Sequence, residues 1–159
     1  MMFFATTTIF AQQKYGHINS ATLLPNLPAW QSAQSDMEIF RGQIEAQYKA
    51  KVEDYKQQVK VLEDRVQVTK NITEQEIQME QQRLAGVEQE IVKFETEAQQ
   101  KMVKKEEELV GPIFDRVKSA IQAVAEENGY TYIFDLSVQG SIVYAIPEGD
   151  VSELVKAKL

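Results

Sequence analysis

A long stretch without proline, from Met37 to Val110, occupies the middle of the chain. Proline removes a backbone hydrogen-bond donor and clashes with the preceding helical turn, so its absence permits long uninterrupted helices. Within this stretch apolar side chains recur three and four residues apart, and most other positions are Gln, Glu, Lys or Asp. Residues at these spacings share one helix face, and a single narrow apolar stripe is typical of a coiled coil. The sequence therefore predicts helices that pair along a thin seam.

The apolar stripe is interrupted once, which divides it between two helices. The first part comprises Met37, Phe40, Ile44, Tyr48, Val52, Tyr55, Val59, Leu62 and Val66, and the second comprises Ile77, Leu84, Val87, Ile91, Phe94, Ala98, Met102 and Leu109. Between them, Thr73 and Glu76 have the spacing of a capping box, which begins a helix. Helices over roughly 30–70 and 73–110 have matched lengths and predict an antiparallel hairpin. The alternative is two helices of a compact bundle, whose apolar faces are usually wider.

Short β-rich segments flank this helical region. Residues 15–19 predict a strand, and Pro25 and Pro28 stop the helical turn that follows it. Residues 130–136 and 141–146 are also β-rich, and the four residues between them predict a β-hairpin. A last short helix follows Asp150, where a side-chain cap is expected.

We expect the second long helix to continue beyond the hairpin. Gly111 and Pro112 should act as a hinge that kinks the helix without ending it, because the apolar period continues to a left-handed cap at Asn128 and Gly129. The predicted fold class is thus α+β and mostly α. A long antiparallel coiled-coil arm, residues 29–111, is attached to a small three-stranded β body built from residues 12–28 and 112–159.

The predicted body is too small to be stable by itself. A body of about 60 residues is marginally stable, and its strand edges would be unpaired. We therefore expect an oligomer in which bodies associate, with a subunit number that the sequence leaves open. The candidate body contacts are Ile18, Tyr132, Phe134, Ile142 and Tyr144.

The first eleven residues predict secretion. They are largely apolar, carry no charge and end at Ala11 before the polar Gln12, which resembles the distal part of a signal peptide with cleavage after Ala11. The alternative is an apolar N-terminal end of a cytosolic protein. A membrane span is not expected, because about 11 residues rise only about 16 Å as a helix against a hydrocarbon core of about 30 Å.

Composition argues against several classes of site. The chain has no cysteine and one histidine, His17, so disulfides, thiol nucleophiles and clustered metal ligands are not expected. The net charge of −7 argues against nucleic acid, whose phosphates require a basic surface. We predict no enzyme activity, no cofactor and no metal.

Two segments carry a resemblance to a known family. They are Asn128–Asp135, with the sequence NGYTYIFD, and Glu108–Ile113, with the sequence ELVGPI. Together with the order of elements from Lys14 to Leu159, they resemble the Skp (OmpH-like) family of periplasmic chaperones, which the arms match in pattern only. The resemblance implies a homotrimer with a β-barrel-like body and three helical tentacles around a cavity. Unfolded outer-membrane proteins would be held in that cavity without ATP.

The charge of the arm departs from this family. Better-studied relatives have basic tentacles, whereas residues 30–111 here carry 12 Lys or Arg and 17 Asp or Glu, a net charge of −5. Contact with lipopolysaccharide or anionic lipid is therefore doubtful.

The expected function is binding without catalysis. The candidate client contacts are Trp30, Tyr48, Tyr55, Met79 and Met102, although apolar side chains on the stripe also serve the seam itself. The alternative is a coiled-coil envelope adaptor or spacer, which would bridge fixed partners and would bind one of them through the arm tip near residues 70–73.

Overall fold

The structure, a computed structural model, describes residues 13–159. Its helices and strands are, in chain order, β1 (Tyr15–Ile18), α1 (Ser20–Leu23), α2 (Pro28–Asp64), α3 (Glu74–Asn128), β2 (Tyr132–Asp135) and α4 (Ser152–Lys156). This arrangement confirms the predicted α+β, mostly α fold class. The predicted signal segment, residues 1–11, lies outside the described residues.

The described chain divides into two compact units. Ser32–Val110 form one unit, called the arm below, and residues 13–31 with Gly111–Leu159 form the other, called the body. Helices α2 and α3 each contribute residues to both units.

The arm is an antiparallel helical hairpin, as predicted. Contacts that join α2 to α3 include Phe40 with Lys105, Tyr48 with Glu95, Lys51 with Phe94, and Gln58 with Arg83. The residue number rises along α2 as its partner's number falls along α3, which defines antiparallel pairing. Most residues of the predicted stripe are half-buried, and Ala33, Leu84 and Ala98 are the buried apolar side chains of this unit. The seam is therefore thin along its length.

The turn at the arm tip begins with a π-helical segment, Arg65–Thr69, and Lys70 follows it with φ of 51°. The capping box then starts α3, since the Thr73 N–H donates to the Glu76 carboxylate at 2.8 Å. The Glu76 N–H donates in return to the Thr73 hydroxyl at 3.3 Å. The hydrogen bond from the Thr73 backbone holds the pKa of Glu76 below its usual value. The capping box predicted from the spacing is confirmed.

Helix α3 continues through Pro112 to Asn128 without interruption. It ends at Gly129, whose φ of 70° places it in the left-handed region. The Tyr130 N–H donates to the Ala125 carbonyl at 2.9 Å, which is the long hydrogen bond of a Schellman cap. The predicted continuation and cap are confirmed, and the hinge at Gly111 and Pro112 stays a prediction.

The body sheet differs from the predicted hairpin. Strand β2 pairs in parallel with β1, with Tyr15 opposite Tyr132 and Ile18 opposite Asp135. Within residues 13–159 the sheet has two strands, and residues 141–146 do not form the predicted third strand. The Ser141 N–H does close a turn onto the Val138 carbonyl at 3.1 Å, but β2 pairs in parallel with β1 and not with the segment that follows this turn. The other side of β1 is met by a bridge from His17 to Asp150, which lies beyond that segment.

The body contains its own apolar core. Its buried side chains are Ile18, Leu23, Leu24, Ile113, Val117, Ala120, Val124, Val151 and Val155. The four from α3 are spaced by four, three and four residues, so they form one helix face. Strand β1 and helices α1 and α4 therefore pack on the last turns of α3. Among residues 13–159, no helix combines the length and apolar character needed to cross a bilayer.

Candidate interaction surfaces

A groove of about 540 Å³ lies in the body, and a groove of about 530 Å³ lies in the arm between α2 and α3. The arm groove is lined by Arg41, Ile44, Glu45 and Tyr48 from α2 and by Phe94, Glu95, Ala98, Gln99 and Met102 from α3. Its lining is mainly apolar, with Glu45 and Glu95 among its polar members. We call this surface the arm groove.

The seam carries a small side chain, Ala98, at the level of the arm groove. Ala98 occupies a seam position between Phe94 and Met102, and it is buried. Helices hold their separation through the larger neighbouring side chains, so an alanine leaves space that a longer side chain would fill. The apolar floor is therefore accessible from one side of the hairpin.

The polar groups of the arm groove are held in place by local contacts. The Tyr48 hydroxyl is hydrogen-bonded to Glu95, which raises the pKa of Tyr48 above its ordinary value, and the negative charge of Glu95 adds to the effect. Glu45 pairs with Lys49 one turn along α2 at 3.1 Å. Both carboxylates remain exposed to solvent.

The predicted client contacts occupy different places. Tyr48 and Met102 both line the arm groove, whereas Tyr55 lies half-buried in the seam. Met79 is 64% exposed on the first turns of α3. Trp30 packs in the body with its ring edge-on to Phe114, at a centroid distance of 6.1 Å. Its indole Nε1 is buried and has no hydrogen-bond partner among residues 13–159.

The arm tip exposes several valines. Val61, Val66 and Val68 are all exposed, and Val66 and Val68 belong to the π-helical turn. Arg65 of that turn pairs with Glu76 at 3.8 Å. The tip thus combines an apolar surface with a local ion pair.

The body exposes an aromatic face on its sheet. The Tyr132 ring lies 6.0 Å from the rings of both Tyr15 and Phe134, and all three side chains are exposed. Tyr15, Phe134, Ile142 and Tyr144 also line a groove of about 350 Å³. We call these five side chains the aromatic face.

The structure therefore gathers four of the five predicted body contacts on one surface. Ile18 is the exception, because it is only 3% exposed and lies in the core. Tyr15 was missed by the sequence prediction. The sequence could have identified it, because side chains of a strand alternate between its two faces. Gly16 and Ile18 are buried on one face of β1, so Tyr15 lies on the opposite face.

The predicted hinge residues lie at the edge of the body. Gly111 is half-buried, and Pro112 lines the body groove together with Leu27, Pro28, Arg116 and Lys156. Lys156 pairs with Glu153 at 2.6 Å.

The one histidine has a structural contact. His17 Nε2 lies 2.9 Å from the Ile146 carbonyl oxygen, which anchors the segment before Asp150 against β1. Among residues 13–159, no three His, Asp or Glu side chains lie close enough together to hold a metal ion. The surfaces described above present apolar side chains, aromatic rings and charged groups.

Comparison with known proteins identifies a matching family model and a similar fold. The family model for outer membrane protein (OmpH-like) matches residues 14–159. A crystal structure of an OmpH-like protein from Caulobacter crescentus CB15, described as a candidate outer membrane chaperone, has a TM-score of 0.77 to this chain. The likeness covers 98% of this chain and 89% of that one at 13% sequence identity, so it shows a shared fold alone. No curated protein sequence matches this chain.

Proposed function

The chain belongs to the OmpH-like outer membrane protein family, and from this membership we propose that it is an ATP-independent holdase that binds unfolded outer-membrane proteins. The family supports a chaperone role in general terms. The holdase mechanism, the clients and the assembly are the parts that we propose.

The construction of the arm is the observation that carries this proposal. Its two helices share a seam of half-buried side chains, and the same side chains line a groove that opens to solvent. An unfolded polypeptide presents apolar side chains in no fixed order, and a surface with scattered apolar contacts can bind many such sequences weakly. Tyr48 and Met102 are the proposed contacts in the arm groove, and Tyr55 and Met79 are proposed contacts elsewhere on the arm. Trp30 is the weakest candidate, because it packs against Phe114.

We further propose that the working unit is a homotrimer whose bodies associate through the aromatic face. Tyr132 is 56% exposed, Phe134 is 39% exposed and Tyr144 is 81% exposed in the single chain. Contiguous exposed aromatic side chains are typical of a protein interface. Covering this face with further copies would remove the apolar surface from water and would protect the edge of β2 that no strand of residues 13–159 covers.

The proposed location is the periplasm, reached through a signal peptide that includes residues 1–11. An envelope location agrees with the family, which is named for outer membrane proteins. A holdase at that place would keep its clients from aggregating before they insert in the outer membrane. It needs no bound nucleotide or metal, because apolar and ionic contacts supply the affinity.

A dilution experiment tests the proposed function. A urea-unfolded outer-membrane β-barrel is diluted into buffer with and without the protein, and light scattering is followed in the absence of ATP. We expect the protein to keep the barrel soluble at near-stoichiometric amounts, with no further effect when ATP is added. Aggregation at the same rate with and without the protein would contradict the holdase.

The exposed valines of the arm tip favour the adaptor as the second candidate. An adaptor would bind one folded partner through Val66 and Val68 and would leave unfolded barrels unprotected. The substitution of both valines by Ser would then abolish partner binding. A holdase, in contrast, would keep most of its activity after that change.

A further inference from the structure

Three exposed glutamates form a stripe on one face of α3. Glu88, Glu95 and Glu106 are separated by seven and eleven residues, which are close to two and three helical turns. Five cations of α3 lie within the arm, and each is a quarter of a turn or more away from this stripe; they are Arg83, Lys93, Lys101, Lys104 and Lys105. We call Glu88, Glu95 and Glu106 the acidic stripe.

The acidic stripe runs beside the arm groove. Glu95 lines the groove itself, and Glu45 lines it from α2. Helix α2 contributes both signs of charge to this side, since Arg41 also lines the groove and Lys49 pairs with Glu45. Lys51 of α2 also lies 5.6 Å from the centroid of the Phe94 ring, so α2 is net cationic here and the negative charge beside the apolar floor is that of the acidic stripe on α3.

We propose that the arm groove takes an apolar side chain of an unfolded polypeptide whose flanking residues are Lys or Arg. This inference rests on the proposed holdase function and names the client segment that the arm selects. The apolar side chain enters between Tyr48, Phe94 and Met102, where Ala98 leaves space. The flanking cations pair with the carboxylates of the acidic stripe.

Charge complementarity favours this occupant over the others that an apolar groove could take. An anionic lipid or an acidic segment would be repelled by the stripe. A second arm of the same protein would bring its own acidic stripe, and like charges at close range disfavour that contact. A cationic segment with an aromatic or branched side chain can fill the apolar groove and can also pair with the acidic stripe.

Labelled peptides test this inference through fluorescence anisotropy. The probe is a short peptide with one Phe between Lys residues, and the two comparison peptides carry Glu in place of Lys and Ala in place of Phe. We expect the Lys–Phe peptide to bind the wild-type protein most tightly. Its binding should weaken at about 1 M salt, where the Debye length is about 3 Å.

Two triple variants with the same change in charge locate the site. The variant Glu88→Gln, Glu95→Gln, Glu106→Gln removes the acidic stripe, and we expect its Kd for the Lys–Phe peptide to rise about tenfold. The control Glu90→Gln, Glu107→Gln, Glu108→Gln changes exposed glutamates on other faces of α3, and its Kd should change by about twofold or less. Ala98→Leu fills the groove and should reduce the advantage of Phe over Ala in the peptide. If Ala98→Leu does not fold, the charge variants still decide the question.

Several results would overturn the inference. They are equal weakening by both triple variants, equal binding of the Glu-containing peptide, and self-association of the wild-type arms that displaces the peptide. The aggregation assay separates this inference from the proposed function. A protein that protects unfolded barrels but does not distinguish the peptides is a holdase without the proposed selectivity, whereas a protein that protects no barrel contradicts the holdase itself.

Discussion

Asp135, the last residue of β2, connects three parts of the body. Its Oδ1 accepts hydrogen bonds from the Ser20 N–H at 3.0 Å and from the Ser137 N–H at 2.9 Å. Partial burial alone would raise the pKa of this carboxyl, but the hydrogen bonds from Ser20 and Ser137 outweigh it and hold the pKa below its usual value. The carboxylate thus caps α1 from a distant strand and orders the turn after β2.

We expect Asp135→Ala to lower the free energy of unfolding by about 1 kcal/mol, the usual cost of losing a helix cap. Because the folded pKa is depressed, this stabilisation is present above the unfolded pKa of about 3.9 and is lost as pH falls through the folded pKa. The difference between wild type and variant in urea unfolding should therefore be full at neutral pH and shrink under acid conditions. Asp135→Asn is the control, since it keeps an acceptor and removes only the pH-dependent part. A difference that does not vary with pH would contradict this account.

Sequence spacing revealed some of these residue contacts and not others. The hydrogen bond between Thr73 and Glu76 was predictable because both residues lie within one helical turn. The hydrogen bond between Ser20 and Asp135 was not predictable, because the two residues are 115 positions apart in the sequence. The parallel pairing of β1 and β2 brings them together. The arm groove was missed for a similar reason, since Ala98 reads as an ordinary seam residue until the opposite helix is in place.

Gly86, inside α3, and Gly129, just after the last residue of α3, have opposite roles. Gly86 lies inside the helix with no atom near the position of an added Cβ, whereas Gly129 has φ of 70° at the helix end. We expect Gly86→Ala to stabilise the protein by up to about 1 kcal/mol through helix propensity. Gly129→Ala should destabilise it by about 1 kcal/mol, because a side chain is strained in the left-handed region. Thermal unfolding followed by circular dichroism should therefore show a higher Tm for Gly86→Ala and a lower Tm for Gly129→Ala. Shifts of Tm in the same direction would refute the opposite roles of the two glycines.

The sequence was sufficient to predict the helices, but it was not sufficient to predict how the strands pair. The repeat of apolar residues identified both arm helices, and their matched lengths identified the hairpin, because these signals are local. The segment 141–146 has the β-branched and aromatic composition of a strand, yet Val143 and Tyr144 are exposed and unpaired in the sheet of the described chain. Composition indicates that a segment suits a strand, but its partner depends on which edge the fold presents.

The aromatic face tests the assembly of the whole molecule. Phe134→Asp places a charge among Tyr15, Tyr132 and Tyr144, where an interface would have to desolvate it. We expect sedimentation equilibrium to show trimers for the wild type and monomers or aggregates for the variant. Val103→Asp on the exposed surface of the arm is the control and should remain trimeric. A wild-type protein that sediments as a folded monomer at micromolar concentration would refute the trimer.

Arm length tests the proposed mechanism, because a cavity between arms should lose capacity as they shorten. Residues 52–58 of α2 lie opposite residues 85–91 of α3, as the contacts of Lys51 with Phe94 and of Gln58 with Arg83 indicate. Deleting both segments removes about two turns from each helix and keeps the seam in phase, since Val59 then takes the place of Val52 and Ala98 that of Ile91. The body is untouched, so we expect the shortened protein to remain trimeric in sedimentation equilibrium and helical by circular dichroism.

Client capacity should fall with the enclosed volume and with the apolar area of the arms, so protection of large β-barrels in the dilution assay should be lost before protection of small ones. Full protection of every client by the shortened trimer would exclude the cavity mechanism and would favour the adaptor.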